Sequence, residues 1–225
     1  MLSIYTINLD ERSDRWQQAC ANYQAHGLSP DAVRRWSAVA DKRFGALGCA
    51  KSHVTALTHF LTHDDRPYAL VLEDDFDFVR PFADCVQTFG QLQQGGVDWD
   101  VLLLMGTQVL AGAPMAGGVA RVIEAQSAAA YLFSRRYAAQ LLACFAPSLP
   151  QMEALAAPGL RDFAVSRLAI DQAWKPLQRR DRWLICHPAM GRQRPSFSDI
   201  EGRHVDYDSQ TYALGVPAAA PAMVE

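Results

Sequence analysis

Three consecutive carboxylates, Glu73, Asp74 and Asp75, follow directly on the apolar run Tyr68 to Leu72. Like charges a few ångströms apart repel and raise one another's pKa, so such a tip calls for positive charge beside it. A hard divalent cation, Mn²⁺ or Mg²⁺, takes oxygen ligands and commonly bridges to substrate phosphates instead of being caged wholly by protein. In an extended chain residues i and i+2 project to one side, so Glu73 and Asp75 are the candidate metal ligands while Asp74 points elsewhere, toward a ribose or sugar hydroxyl. The competing reading is a helix N-cap with solvated carboxylates.

The run Tyr68 to Leu72, entered through Pro67, reads as a strand buried on both faces whose end emerges at a site. Before it lie a strand over Leu2 to Leu9, a charged segment Asp10 to Arg15, a helix through Trp16, Cys20 and Tyr23 that Gly27 stops, and a short strand over Val33 to Val39. Val54, Leu57, Phe60 and Leu61 carry a helix from about Cys49 to His63. After the acids come a helix from Pro81 through Leu92, a strand over Trp99 to Met105, and a Gly-, Ala- and Pro-rich loop over 106–118. Strands over Val119 to Ile123 and Ala128 to Ser134 follow, then a helix from Arg135 to Phe145, an unpatterned stretch over 147–160, a helix around Phe163 to Leu177, and a last strand over Trp183 to His187. This rhythm predicts an α/β sandwich with a mainly parallel sheet and ligands beyond the carboxyl ends of its strands. A chain of 225 residues, half of them apolar, suits one domain over 1–215, with a flexible Ala- and Pro-rich tail over 216–225.

A net charge of −3 gives no general basic field, which argues against a nucleic-acid duplex as partner. The arginines at 179, 180, 182, 192, 194 and 203 either face an anionic substrate or form ordinary surface ion pairs. No run of about eighteen apolar residues is present to span a bilayer, and polar residues by Asn8 and Asp10 do not suit a secretory signal, so the expected compartment is the cytoplasm. Five scattered cysteines without a CxxC pair argue against a disulfide framework and a cysteine zinc site.

Read together, several segments resemble one family: Ile7-Asn8-Leu9-Asp10 with Arg12 and Arg15, Ala38-Val39-Ala40-Asp41, Gly48-Cys49-Ala50-Lys51-Ser52-His53, and Leu72-Glu73-Asp74-Asp75. They continue with Ala130-Tyr131-Leu132-Phe133-Ser134, Ile170-Asp171 and Ser198-Asp199-Ile200-Glu201. In order and approximate spacing this is similar to glycosyltransferase family twenty-five, which contains lipooligosaccharide and collagen galactosyltransferases, across most of residues 2–203. The resemblance implies a GT-A type nucleotide-diphospho-sugar transferase fold, a metal-dependent donor site and inversion at the anomeric carbon. It implies a UDP-sugar donor, galactose before glucose, and an acceptor hydroxyl on a glycan, lipid-linked saccharide or peptide, met at the inner membrane surface where the acceptor is lipid-linked. It also sets Asn8, Leu9 and Asp41 near the nucleotide, with Arg12 or Arg15 as the guanidinium fork for the diphosphate. Lys42 stands where the family often has glycine.

Ser52 and His53 read as the start of a helix whose amides suit a pyrophosphate or sugar oxygen, although Ser52 as a cap and His53 as a core residue remain alternatives. An inverting transfer needs a base opposite the departing phosphate. Asp171 is the first choice, with Trp174 one turn on as a sugar-stacking wall; the other role for Asp171 is an N-cap. Asp199 and Glu201 are rival bases, or bind acceptor or metal. Lys51 and Arg194 are candidates to assist the leaving diphosphate, and His187 or His204 to complete the metal shell. Two functions from other classes compete: a catalytically inactive module of the same fold that binds a saccharide or nucleotide, and a metal-dependent phosphoesterase, for which no further Asp/His motif is present.

Overall fold

The computed structural model describes residues 2–157, 159–198 and 203–215. The chain opens with β1 (Leu2–Asn8), α1 (Ser13–Ala25), β2 (Arg34–Ser37), α2 (Gly45–His63) and β3 (Tyr68–Glu73). It continues through β4 (Phe76–Phe78), α3 (Phe82–Gln94), β5 (Val101–Leu103), β6 (Thr107–Met115), β7 (Val119–Gln126), β8 (Ala130–Ser134) and α4 (Arg135–Phe145). Last come α5 (Ser148–Ala154), α6 (Arg161–Leu168), α7 (Ile170–Ala173), α8 (Lys175–Arg180), β9 (Trp183–Cys186), β10 (Gly191–Gln193), β11 (Ser196–Ser198) and β12 (Arg203–Val205).

Eight strands form one sheet in the order β2-β1-β3-β8-β5-β9-β7-β6. Pairing is parallel for β1 with β2, β1 with β3 and β5 with β9, and antiparallel wherever β7 or β8 takes part. The sheet is therefore mostly parallel, with β7 and β8 alone opposed among the described strands. Period-2 alternation sends successive side chains to opposite layers, which is why these strands read as continuous apolar runs. Val71, Tyr131, Phe133 and Val101 join a core layer with Leu57, Phe60, Trp174 and Trp183. Leu70, Leu72, Leu132 and Leu102 join the other, with Tyr23, Phe78 and Leu92. The result is the predicted α/β architecture, a mostly parallel central sheet flanked by helices. Among the described residues no helix is long and apolar enough to cross a membrane.

The structure revises several expected elements. The stretch 106–118 carries strand β6, paired with β7 through register shifts at the sheet's edge. Gly112 and Pro114 are tolerated there because an edge strand need not donate every N–H and bulges absorb misfit. The expected helix over Phe163 to Leu177 is broken into α6, α7 and α8, with Ala169 extended between the first two (φ −53°, ψ 145°) and Pro176 opening the third. The unpatterned stretch 147–160 contains α5. The proposed tail over 216–225 lies outside the described residues.

Helix α2 begins at Gly45, a full turn before the expected Cys49. Gly48 lies inside it, and a Cβ there would stand 2.6 Å from the Val39 carbonyl oxygen and 3.1 Å from the Asp41 amide. Helix propensity alone favours alanine by ~1 kcal/mol, but overpacking against backbone costs about 1–3 kcal/mol. Gly48→Ala is therefore expected to lower stability by ~1–2 kcal/mol in equilibrium urea unfolding; a stabilised variant would contradict the close approach of segment 39–41 to α2.

Candidate active site

The carboxyl ends of the parallel strands β1, β2 and β3 meet the start of the antiparallel strand β8, where the Glu73 amide donates to the Ala129 carbonyl (2.8 Å). A cleft of about 690 Å³ opens there, lined by Asn8 from β1, Glu73 from β3, the turn residues Asp74 and Asp75, the beginning of α2, Ser127 and Asp171. Beyond the ends of parallel strands is where open α/β sheets commonly bind ligands.

The three acids have different surroundings. Strand β3 ends at Glu73, and Asp74 and Asp75 form the turn into β4, so strand alternation is not what sets their directions. Asp74 is buried and held within the protein: Asn8 Nδ2 donates to its Oδ2 (2.6 Å) and Arg15 Nη1 to its Oδ1 (3.2 Å). Asn8 is in turn fixed by Arg35, whose Nε donates to its Oδ1 (2.8 Å). Glu73 Oε1 receives His53 Nε2 (3.1 Å) and Cys49 Sγ (3.6 Å). Asp75 has Oδ2 4.0 Å from Arg15 and an Oδ1 that is shielded from solvent without any hydrogen-bond partner. Burial, reinforced by the charges of Glu73 and Asp74, raises the Asp75 pKa above the usual carboxylate range against the opposing pull of Arg15 and Arg194.

The basic candidates are engaged by the protein's own groups. Arg15 Nη2 donates to Ser196 Oγ (3.1 Å) and the Phe197 carbonyl (2.6 Å), tying β11 to the acidic turn. Arg194 pairs with Asp77 through Nη2 (2.6 Å) and Nε (3.0 Å), while its backbone amide donates to the Asp75 carbonyl (2.7 Å). Arg12 pairs with Asp14 (3.2 Å) beside the backbone of Leu9, and Lys51 lies between Asp41 (3.7 Å) and Glu153 (3.6 Å). Of the arginine-rich stretch, 179, 180, 182, 192 and 194 all face carboxylates, which is the ion-pair reading.

Segment 38–41 forms the wall beside α2. Asp41 Oδ1 accepts the amides of Arg43 and Phe44 (3.1 Å each) and so shapes the entry to that helix. Ser52 lies two turns inside α2, neither starting nor capping it: its hydroxyl donates to the Gly48 carbonyl (2.7 Å) and accepts the Val39 amide (2.8 Å). The amides at the positive end of α2 belong to Gly45 and Ala46, both of which line the cleft. His53 is fully buried in the cleft floor, with Nδ1 2.8 Å from Tyr131 Oη.

On the opposite wall, Asp171 Oδ2 accepts the backbone amide of Ser127 (3.1 Å), and Gln172 makes a longer contact to Oδ1 (3.4 Å). Burial raises the Asp171 pKa, with the Ser127 amide working against that shift and Glu73 adding to it. Ser127 has φ 75°, a left-handed conformation uncommon for a residue with a Cβ, and its hydroxyl donates to Gln193 (2.9 Å). Trp174 is no sugar-stacking wall: it is fully buried, and its indole donates to the Ala125 carbonyl (3.2 Å). His187 follows β9, packs against the Tyr212 ring (5.5 Å between centroids) and does not line the cleft. Between the paired strands β11 and β12, Phe197 contacts His204 (5.7 Å between centroids), which likewise does not line the cleft. Asp199 and Glu201 lie outside the described residues. Ser127, Gln193 and Asp77 carry no signal as site residues in the sequence, since each acquires its place only through contacts between distant segments.

No protein-family model and no curated protein matches the chain. Solved structures similar to it include a mannose-1-phosphate geranyltransferase from Thermus thermophilus, at 11% identity and TM-score 0.46 over 84% of this chain and 73% of that one. A nucleoside-diphosphate-sugar pyrophosphorylase from Vibrio cholerae aligns at 12% identity and TM-score 0.35, covering 83% of this chain and 72% of that one. A glycosyltransferase involved in glycosylation of the major capsid of PBCV-1 aligns at 9% and 0.34, covering 82% and 92%. At these scores the likenesses carry no functional argument, and the α/β architecture rests on the chain's own topology.

Proposed function

We propose that this chain is a metal-dependent glycosyltransferase that binds a nucleotide-diphosphate sugar in the cleft and transfers the hexose with inversion to an acceptor hydroxyl. UDP-galactose is the first donor and UDP-glucose the next; the acceptor class is a glycan, lipooligosaccharide or peptide. The reaction belongs in the cytoplasm, at the inner membrane surface for a lipid-linked acceptor. The observation that carries this reading is Asp75 Oδ1, shielded and without a partner among three acids at the carboxyl ends of parallel strands.

A hard divalent cation fits that donor set, because carboxylate oxygens are its preferred ligands and the local surplus of negative charge is what it would neutralise. Glu73 and Asp75 are the residues to hold it, and when bound it supplies positive charge to the diphosphate leaving group. Asn8 and Arg15 hydrogen-bond Asp74 and so anchor the turn that presents Asp75. The Gly45 and Ala46 end of α2 offers amides to donor oxygens.

Asp171 serves as base. The Ser127 amide holds Oδ2, and Oδ1, which has the longer contact from Gln172, is the oxygen to take the acceptor proton. As that proton moves, the acceptor oxygen bonds to the anomeric carbon and the bond from that carbon to the phosphate oxygen breaks, releasing UDP. Asp199 and Glu201 are the rival bases. With purified protein, Mn²⁺ and a panel of UDP-sugars, UDP release is expected to depend on metal, to be slow with water and faster with a suitable acceptor. Metal-independent turnover would contradict the site; tight UDP binding without release across many acceptors would favour an inactive binding module, and phosphate release from a simple ester would favour a phosphoesterase.

A further inference from the structure

We propose that Cys49, His53 and Glu73 form a second metal site, of softer character, for Zn²⁺ or another zinc-class cation at the cleft floor. Their sulfur, nitrogen and oxygen ligand atoms all lie within 4.8 Å of one another. Four-residue spacing on α2 stacks Cys49 over His53 on one helix face, and the end of β3 brings Glu73 against both. In a tetrahedral zinc site, metal–ligand bonds of about 2.0–2.3 Å give ligand-to-ligand edges of roughly 3.3–3.7 Å. The observed edges are 3.1 Å from His53 Nε2 to Glu73 Oε1 and 3.6 Å from Cys49 Sγ to the same oxygen, so small side-chain adjustments admit the ion.

A second, independent observation points the same way. Metal-binding histidines almost always anchor their other ring nitrogen to a fixed partner, and His53 Nδ1 meets the buried Tyr131 hydroxyl at 2.8 Å. On binding, the Cys49 thiol gives up its proton to solvent and coordinates as the thiolate, with His53 Nε2 and a Glu73 oxygen as the other ligands. Cys49, half-buried, and Glu73 both line the cleft, so a fourth coordination position opens toward the substrate space, and the soft ion competes with the donor metal for Glu73.

The test uses Cd²⁺ as a spectroscopic probe on the metal-free full chain without any sugar nucleotide, so its outcome is independent of the transfer reading. The ultraviolet thiolate-to-cadmium charge-transfer band is expected to saturate at one equivalent. Cys49→Ser and Cys49→Ala are both expected to lose the band although the other four cysteines remain. Tyr131→Phe, which keeps all three ligands, is expected to weaken Zn²⁺ binding about 10–100-fold. Absence of a band in the unmodified protein, or its persistence in a folded Cys49 variant, would overturn the proposal.

Discussion

Asp75→Asn is expected to reduce metal-dependent release of UDP from the donor by about 10²–10⁴-fold, because a divalent cation at a developing phosphate charge is worth several kcal/mol and each 1.36 kcal/mol is tenfold in rate. The same substitution should make the metal-free protein more stable at neutral pH. The folded-state pKa of Asp75 is raised above its unfolded value, so the carboxyl costs no stability below the unfolded pKa, the penalty grows as pH rises from the unfolded value to the folded one, and it is constant above that. Asparagine removes that penalty. Thermal unfolding of the two proteins should coincide near pH 3 and diverge toward pH 7, with the variant higher by about 2–4 °C for each kcal/mol relieved. Loss of turnover with a gain in stability is the signature of a charge kept for binding; equal turnover, or a less stable variant at neutral pH, would remove Asp75 from the site.

Asp171→Asn is the second large effect. The amide oxygen can still accept the Ser127 N–H, so the left-handed turn at 127 keeps its support while the base is lost. General-base removal is worth about 10²–10⁴-fold, and it should fall on kcat with donor KM little changed. The raised pKa of Asp171 has a further consequence. Transfer requires the ionised form, so the acid limb of the rate profile should lie above the ordinary aspartate value of about 3.9, and it should vanish from the residual activity of the variant. Alanine provides the contrast, since it also releases Ser127 and should lower stability together with rate. An Asp171→Asn enzyme with full activity would transfer the role to Asp199 or Glu201.

The acidic tip is visible in the sequence because its signal is local, whereas Asp171 is reached only through the resemblance that Ile170-Asp171 helps to carry. Three acids closing an apolar run need no tertiary information, and helix α4 over Arg135–Phe145 follows directly from its periodicity. What the sequence conceals depends on contacts between distant segments. Gly48 looks like a residue preceding a helix until the Val39 carbonyl is seen at its side, which explains why the apolar pattern alone starts α2 too late. Trp174 has the spacing of a cleft residue, yet the break at Ala169 turns it into the core beneath Ala125. Arg15 and Arg194 carry the chemistry of phosphate binding and line the cleft, and their pairing with Asp74 and Asp77 is what the sequence does not show. Ser127 carries no local signal at all; its importance comes from Asp171, 44 residues away in the chain.

The most direct test of the metal-held donor is a crystal structure with UDP and Mn²⁺, using anomalous scattering to place the manganese. The ion is expected within about 2.0–2.6 Å of carboxylate oxygens of Glu73 and Asp75 and bridging to the diphosphate. Manganese and UDP bound elsewhere, with those two carboxylates touching only water, would contradict the account.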